Sequence, residues 1–233
     1  WTPQIIPRTL FLMGGAIAAL DHVMQHGGIA GNMAGGTHHA HYDFGSGYCI
    51  FNDLAVCSLL ALSKYNLTKI AVVDLDVHQG DGTATILQHD DKVLTISVHC
   101  QQNFPFRKSQ SDYDLELPAH AGDEEVLATV AEALEITKQF DPELILFQAG
   151  VDGLATDALG KLNISRQGMS KRNEMVFDLA VERSITTVVF MGGGYSDPIR
   201  HTIDAFSDLF LSASLANQQI LSKADTEQLD SEK

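Results

Sequence analysis

Lys69-Ile70-Ala71-Val72-Val73-Asp74-Leu75-Asp76-Val77-His78-Gln79-Gly80-Asp81-Gly82 is the stretch from which the fold is read. Its first part is a short run of branched apolar residues with no alternating polar face. That is the pattern of a strand buried on both sides in a parallel sheet. The chain then turns polar at once, and alternation along an extended backbone puts Asp74, Asp76 and His78 on one face at the strand end. Two carboxylates and an imidazole are costly to desolvate together unless a cation offsets them. Both groups are ordinary ligands for zinc or iron. Capping of the next helix accounts for Asp81 equally well, whereas for Asp76 and His78 a metal is the stronger reading.

Three further runs have the same character, over residues 92–98, 144–148 and 187–191. Helical periodicity is predicted between and around them, over residues 9–25, 52–65, 83–88, 124–140 and 166–183. A last helix is predicted from Pro198 to about residue 221, with Ser196 or Asp197 as its cap. Strand and helix in alternation predict an α/β fold, an open, mostly parallel sheet with helices on both faces. One domain over residues 1–221 is expected, followed by a polar, frayed tail over 222–233.

The chain has 233 residues, 45% of them hydrophobic, enough for one large core. A formal net charge of −15 would repel phosphate backbones, so direct nucleic-acid binding is not expected, while a cationic substrate is tolerated. Cys49, Cys57 and Cys100 are too few and scattered for a disulfide framework or a cysteine zinc site, and read as free thiols. No apolar run reaches membrane-spanning length, and residues 1–8 lack a signal-peptide layout, so a cytoplasmic protein with no membrane partner is expected. Because Trp1 stands in place of an initiator Met, a processed or trimmed chain is expected.

Three other polar clusters follow or precede strands, where open α/β sheets bind ligands. Gly35-Gly36-Thr37-His38-His39-Ala40-His41 could be a metal site, an exposed loop, or a general acid and base steered by carboxylates, for which Asp74 and Asp81 are available. Spacing does not choose among the three. Asp152, in Gln148-Ala149-Gly150-Val151-Asp152-Gly153, could be a third anionic ligand or a turn residue. Gly192-Gly193-Gly194-Tyr195 lets backbone approach a ligand closely, and its tyrosine could donate to a developing oxyanion. A phosphate cradle is the weaker reading, since no Gly-Lys-Ser/Thr follows.

In order, Gly-Thr-His-His-Ala at 36–40, Gly-Tyr-Cys-Ile-Phe-Asn-Asp at 47–53, Asp-Leu-Asp-Val-His-Gln-Gly-Asp-Gly at 74–82, Gly-Val-Asp at 150–152 and Gly-Gly-Gly-Tyr at 192–195 resemble the histone deacetylase family. These are zinc-dependent members of the arginase/deacetylase fold, and the likeness is closest to class IV and prokaryotic members. The resemblance implies hydrolysis of the amide of an acylated lysine, in protein or peptide, or of a small acylated amine. It implies Asp76, His78 and Asp152 as zinc ligands, and His38 and His39 as the tandem histidines, with His39 the proton shuttle. Asp74 would orient His38, Asp81 would orient His39, and Tyr195 would polarise the scissile carbonyl. Gly47, Tyr48 and Phe104 match the acyl-lysine channel. Ser97 and Val98, with Asp74, match a structural potassium (K+) site.

The sequence departs from the family at Gln79, where the second histidine of a His-His pair is usual; that residue is neither ligand nor shuttle in the family. Leu159 aligns where polyamine-selective relatives carry an acidic gatekeeper, which disfavours polyamines. Family domains also carry an earlier strand, helices and an acidic rim loop ahead of the segment that Trp1 begins. Without them the resemblance implies an exposed sheet edge and an incomplete rim, hence an inactive fragment or pairing with another copy. Two other readings compete: a binuclear manganese ureohydrolase of the same fold, and a binding module that holds acylated ligands without turnover. Tyr195 and the single Asp-X-Asp-X-His favour a mononuclear site over the first.

Overall fold

The computed structural model describes residues 2–231, with side chains through residue 223. Six strands form one sheet: β1 (Ile29–Asn32), β2 (Ile70–Asp74), β3 (Val93–Cys100), β4 (Tyr113–Leu117), β5 (Leu144–Gln148) and β6 (Thr186–Phe190). Their order is β1-β6-β5-β2-β3-β4, and every pairing is parallel. Six helices connect and cover them: α1 (Ile5–His26), α2 (Asp53–Lys64), α3 (Asp81–Leu87), α4 (Asp123–Phe140), α5 (Arg166–Arg183) and α6 (Arg200–Ser231).

The central strands are apolar on both faces because each face has its own core. Ile70 and Val72 of β2, with Leu144 and Leu146 of β5, pack against α1 and α2. Ala71, Val73, Ile145 and Phe147 point the other way, into the cluster shared with α4, α5 and α6. The period-two pleat of two adjacent strands thus divides one sheet between two helix layers. Burying each such Leu, Ile or Phe side chain contributes roughly 1.5–3 kcal/mol.

Two strands go beyond those expected from the sequence. β1 is only four residues, Ile-Ala-Gly-Asn, and its composition reads as a turn; parallel pairing to β6 makes it a strand. β4, Tyr-Asp-Leu-Glu-Leu, is an edge strand with one half-solvated face, so it alternates instead of running apolar. The last helix also differs. It starts at Arg200, after a cis Asp197–Pro198 bond, and continues to Ser231 rather than stopping near residue 221. Neither proposed residue caps it; instead the Ser196 N–H donates to Thr202 Oγ1 at 3.0 Å.

The chain runs from β2 outward to β3 and β4, then returns to the other side of β2 as β5. The gap between β2 and β5 is therefore the point where strand order reverses, and a crevice opens there beyond the strand ends.

Candidate active site

Asp76 leaves the end of β2 and Asp152 the end of β5, so the reversal point brings two buried carboxylates face to face. His78 Nδ1 lies 3.0 Å from Asp76 Oδ1 and 3.1 Å from Asp152 Oδ2. Backbone fixes the carboxylates from behind: the Val77 N–H donates to Asp152 Oδ1 and the Gly193 N–H to Asp76 Oδ2, both at 3.0 Å. The closeness of both carboxylates to this backbone explains part of the triple glycine, because a methyl on Gly193 would overlap the Asp152 carboxylate.

The electrostatics of this group favour a cation. Burial, and then the charge of Asp76, push Asp152 up to about 7. Burial opposes ionisation of Asp76 too, but His38 and His78 outweigh it and hold Asp76 well below the ordinary carboxylate range. Burial likewise opposes a charge on His78, yet hydrogen bonds to Asp152 and Asp76 raise it to about 10. Two converging carboxylates and one imidazole, with donor atoms all within 4.8 Å of one another, fit a zinc ion in number and kind. Among the described residues this is the one group of three or more such side chains so placed.

The loop after β1 brings the histidine pair over this group. His38 Nδ1 meets Asp74 Oδ2 at 2.7 Å, and His39 Nδ1 meets Asp81 Oδ1 at 2.6 Å. The imidazoles are tilted neighbours with centroids 4.1 Å apart. Their environments separate them. Burial opposes a charge on His38, but Asp74 and Asp76 prevail and raise it to about 9. Burial and the adjacent His38 lower His39 to about 4 despite Asp81. At neutral pH the first is a cation and the second a neutral base, the kind of split that divides acid from base roles. Phe104 packs edge-on against His39 at 4.9 Å. Beneath the same ring is Gly47, at φ +50°, where a methyl would overlap the imidazole.

These groups open into a cavity of about 770 Å³. His38, His39, Asp76, His78 and Asp152 stand in its wall with Gly47, Tyr48, Phe104, Leu159 and Tyr195. Burial, followed by the charges of Asp76 and Asp152, pushes the Tyr195 phenol up to about 12, so it remains a donor at neutral pH. Asp74 and Asp81 stand behind the histidines instead of in the wall. Ser97 and Val98 lie buried in β3, outside the cavity wall, with Ser97 opposite Asp74 in register. Ser97 Oγ is 3.0 Å from His99 Nδ1.

Several supporting residues escaped the sequence reading. Asp53 accepts from the Gly36 and Thr37 N–H groups at 2.8 Å each, pinning the histidine loop; it stood inside a quoted motif without a role. Gln79 braces the turn that carries Asp76 and His78 to a distant loop: its amide N–H donates to Ser109 O and Asp114 Oδ1, and its oxygen accepts from Ser109 N. Arg172 is fully buried and donates to Leu75 O, Ala149 O and Gly150 O, the backbone of the turns that carry Asp76 and Asp152, and to Asn173 Oδ1. Its signal was present, since Arg172 falls in the buried stripe Met169, Arg172, Asn173, Val176, Phe177, Ala180 of α5. A charge at a core position of a helix asks for a partner.

Residues 1–207 match the family model described as the histone deacetylase domain. The chain belongs to the histone deacetylase family. It is 40% identical over 214 residues to an uncharacterized protein of Picosynechococcus sp., covering 91% of this chain and 71% of that one. It is 35% identical over 187 residues to histone deacetylase 2 of Arabidopsis thaliana, covering 78% of this chain and 48% of the plant protein. A crystal structure of a histone deacetylase homologue complexed with SAHA superposes with a TM-score of 0.77 at 27% identity, over 91% of this chain and 61% of that chain. The chain thus spans about half the length of the plant and fission-yeast histone deacetylases it matches. Among the described residues, no helix is long and apolar enough to cross a membrane.

Proposed function

We propose that this chain is a zinc-dependent deacylase that hydrolyses the amide of an acylated lysine or a related acylated amine. The observation that carries the proposal is the convergence of the Asp76, His78, Asp152 group with a neutral His39 and a protonated Tyr195 on one cavity. Zinc held by the three side chains would supply Lewis acidity to the substrate carbonyl and to the attacking water.

The chain's own residues supply the rest. His39, held by Asp81, accepts the proton of the attacking water and returns it to the leaving amine. The Tyr195 hydroxyl donates to the carbonyl oxygen as negative charge gathers there. His38, held by Asp74 at 2.7 Å, packs against the His39 ring and keeps the histidine pair over the metal group. Tyr48 and Phe104 flank the acyl-amine chain at the mouth, while Gly47 leaves room for the His39 ring beside it. Leu159 places an apolar wall where a polyamine would need an acid, which favours acyl-lysine. We assign the catalytic unit to residues 1–221. A potassium ion beside Asp74, Ser97 and Val98 rests only on the register that sets Asp74 opposite Ser97.

The test is turnover of a panel of acetyl-lysine, longer acyl-lysine and acetylpolyamine substrates, with zinc content measured, for the native chain and Tyr195→Phe. Tyr195→Phe is expected to keep its zinc and lose about a hundred- to a thousandfold in kcat. Wild-type-like turnover in that variant sinks the assignment. Zinc-loaded native protein with no turnover on any substrate turns the reading toward a binding module.

A further inference from the structure

The carboxylate that steers His39 is shared with a second histidine. Asp81 Oδ1 faces His39 Nδ1 at 2.6 Å, and Asp81 Oδ2 faces His41 Nε2 at 3.2 Å. His41 is held on two further sides. Its Nδ1 is 2.8 Å from Thr85 Oγ1, and its ring stacks on Phe44 with centroids 4.2 Å apart and planes 15° from parallel. Thr85 lies one helical turn beyond Asp81 in α3, with its hydroxyl 3.0 Å from both Asp81 O and Gly82 O. The loop after β1 and the first turn of α3 are therefore closed into one bracket around Asp81, whose side chain is 8% exposed.

A carboxylate anchored through one oxygen turns easily, because the terminal torsion of aspartate is broad. Anchored through both, it has one orientation, and so does the imidazole hydrogen-bonded to it. We infer that His41 is a positioning residue for His39, acting through the second oxygen of Asp81. It does not line the cavity and touches no reacting atom. The inference rests on the reading of His39 as the proton carrier, and it gives a role to the one histidine of the His38-His39-His41 cluster that the proposed chemistry leaves unused.

His41→Phe keeps a ring on Phe44 and removes both polar contacts, whereas His41→Gln offers an amide N–H at the place of Nε2–H. On zinc-loaded protein, kcat for the best acylated amine should fall about tenfold in H41F with KM and zinc content unchanged. H41Q should recover to within about threefold of the native value. His41→Asn, too short to reach Asp81, should repeat the loss and serves if H41F folds poorly. Native kcat in H41F and H41N, or a loss that H41Q fails to repair, overturns the inference. If the native chain itself turns over no substrate, the proposed function fails separately, and the low-field His39 Nδ1–H proton resonance reads the bracket directly. It should move in H41F and H41N but not in H41Q; no movement in any variant overturns the role of His41.

Discussion

Replacing Arg172 by Met tests whether the two ligand-bearing turns are clamped together from below. The guanidinium makes five donor contacts, to Leu75 O at 3.0 Å, Gly150 O at 2.7 Å, Ala149 O at 3.1 Å, and Asn173 Oδ1 at 2.8 and 3.1 Å. Met fills much of the same volume and satisfies none of the four acceptors. At about 1–3 kcal/mol for each buried group left unmet, the raw sum is about 4–12 kcal/mol. Two effects reduce it: backbone carbonyls relax toward other donors, and the buried cation's own desolvation cost disappears. A loss of about 3–5 kcal/mol remains, a large share of the roughly 5–15 kcal/mol of a typical domain. Arg172→Lys keeps the charge near Asp74, Asp76 and Asp152 but has three donors instead of five, so it should lose about half as much. Urea unfolding of the metal-free protein, monitored by far-UV circular dichroism, gives both values. An R172M midpoint equivalent to less than about 1 kcal/mol of destabilisation would refute the clamp.

Two further outcomes follow from the geometry. Zinc at a thousand times its dissociation constant should stabilise the native chain by about 4 kcal/mol, and a melting curve of Asp152→Asn should show little of this gain. An equal gain in both proteins would place the metal elsewhere. Gly47→Ala drives a methyl into the His39 ring at a positive-φ position, so turnover should fall at least about a hundredfold while zinc content stays native. Native turnover in G47A would mean that His39 is not held where the loop places it.

The central strands were legible because each is apolar on both faces, and the sequence stretch at 69–82 sets strand and polar turn side by side. β1 and β4 were not legible, since a four-residue edge strand owes its state to β6 and β4 alternates like an exposed segment. At the site, Asp76 and His78 could be read from spacing, whereas Asp152 needed the family resemblance because its partner strand is distant in sequence. His41 was visible only as one of three histidines; its sharing of Asp81 depends on where α3 lies. Arg172 had a sequence signal in the apolar stripe of α5, but its acceptors are backbone carbonyls, which no side-chain pattern announces.

The adjacency of β2 and β5 also constrains how the protein comes into being. Between them the chain completes β3, β4 and α4, so the ligands of the metal group belong to turns that meet only after a long segment has been placed. If zinc binds as proposed, a chain with only β2 and β3 in place would offer it two of the three donors, Asp76 and His78. On that proposal tight capture would await the docking of β5, and the ion would report the slow, non-local pairing in the sheet. Refolding followed by a zinc-sensitive dye should therefore lag the recovery of helical signal, with the delay set by that docking.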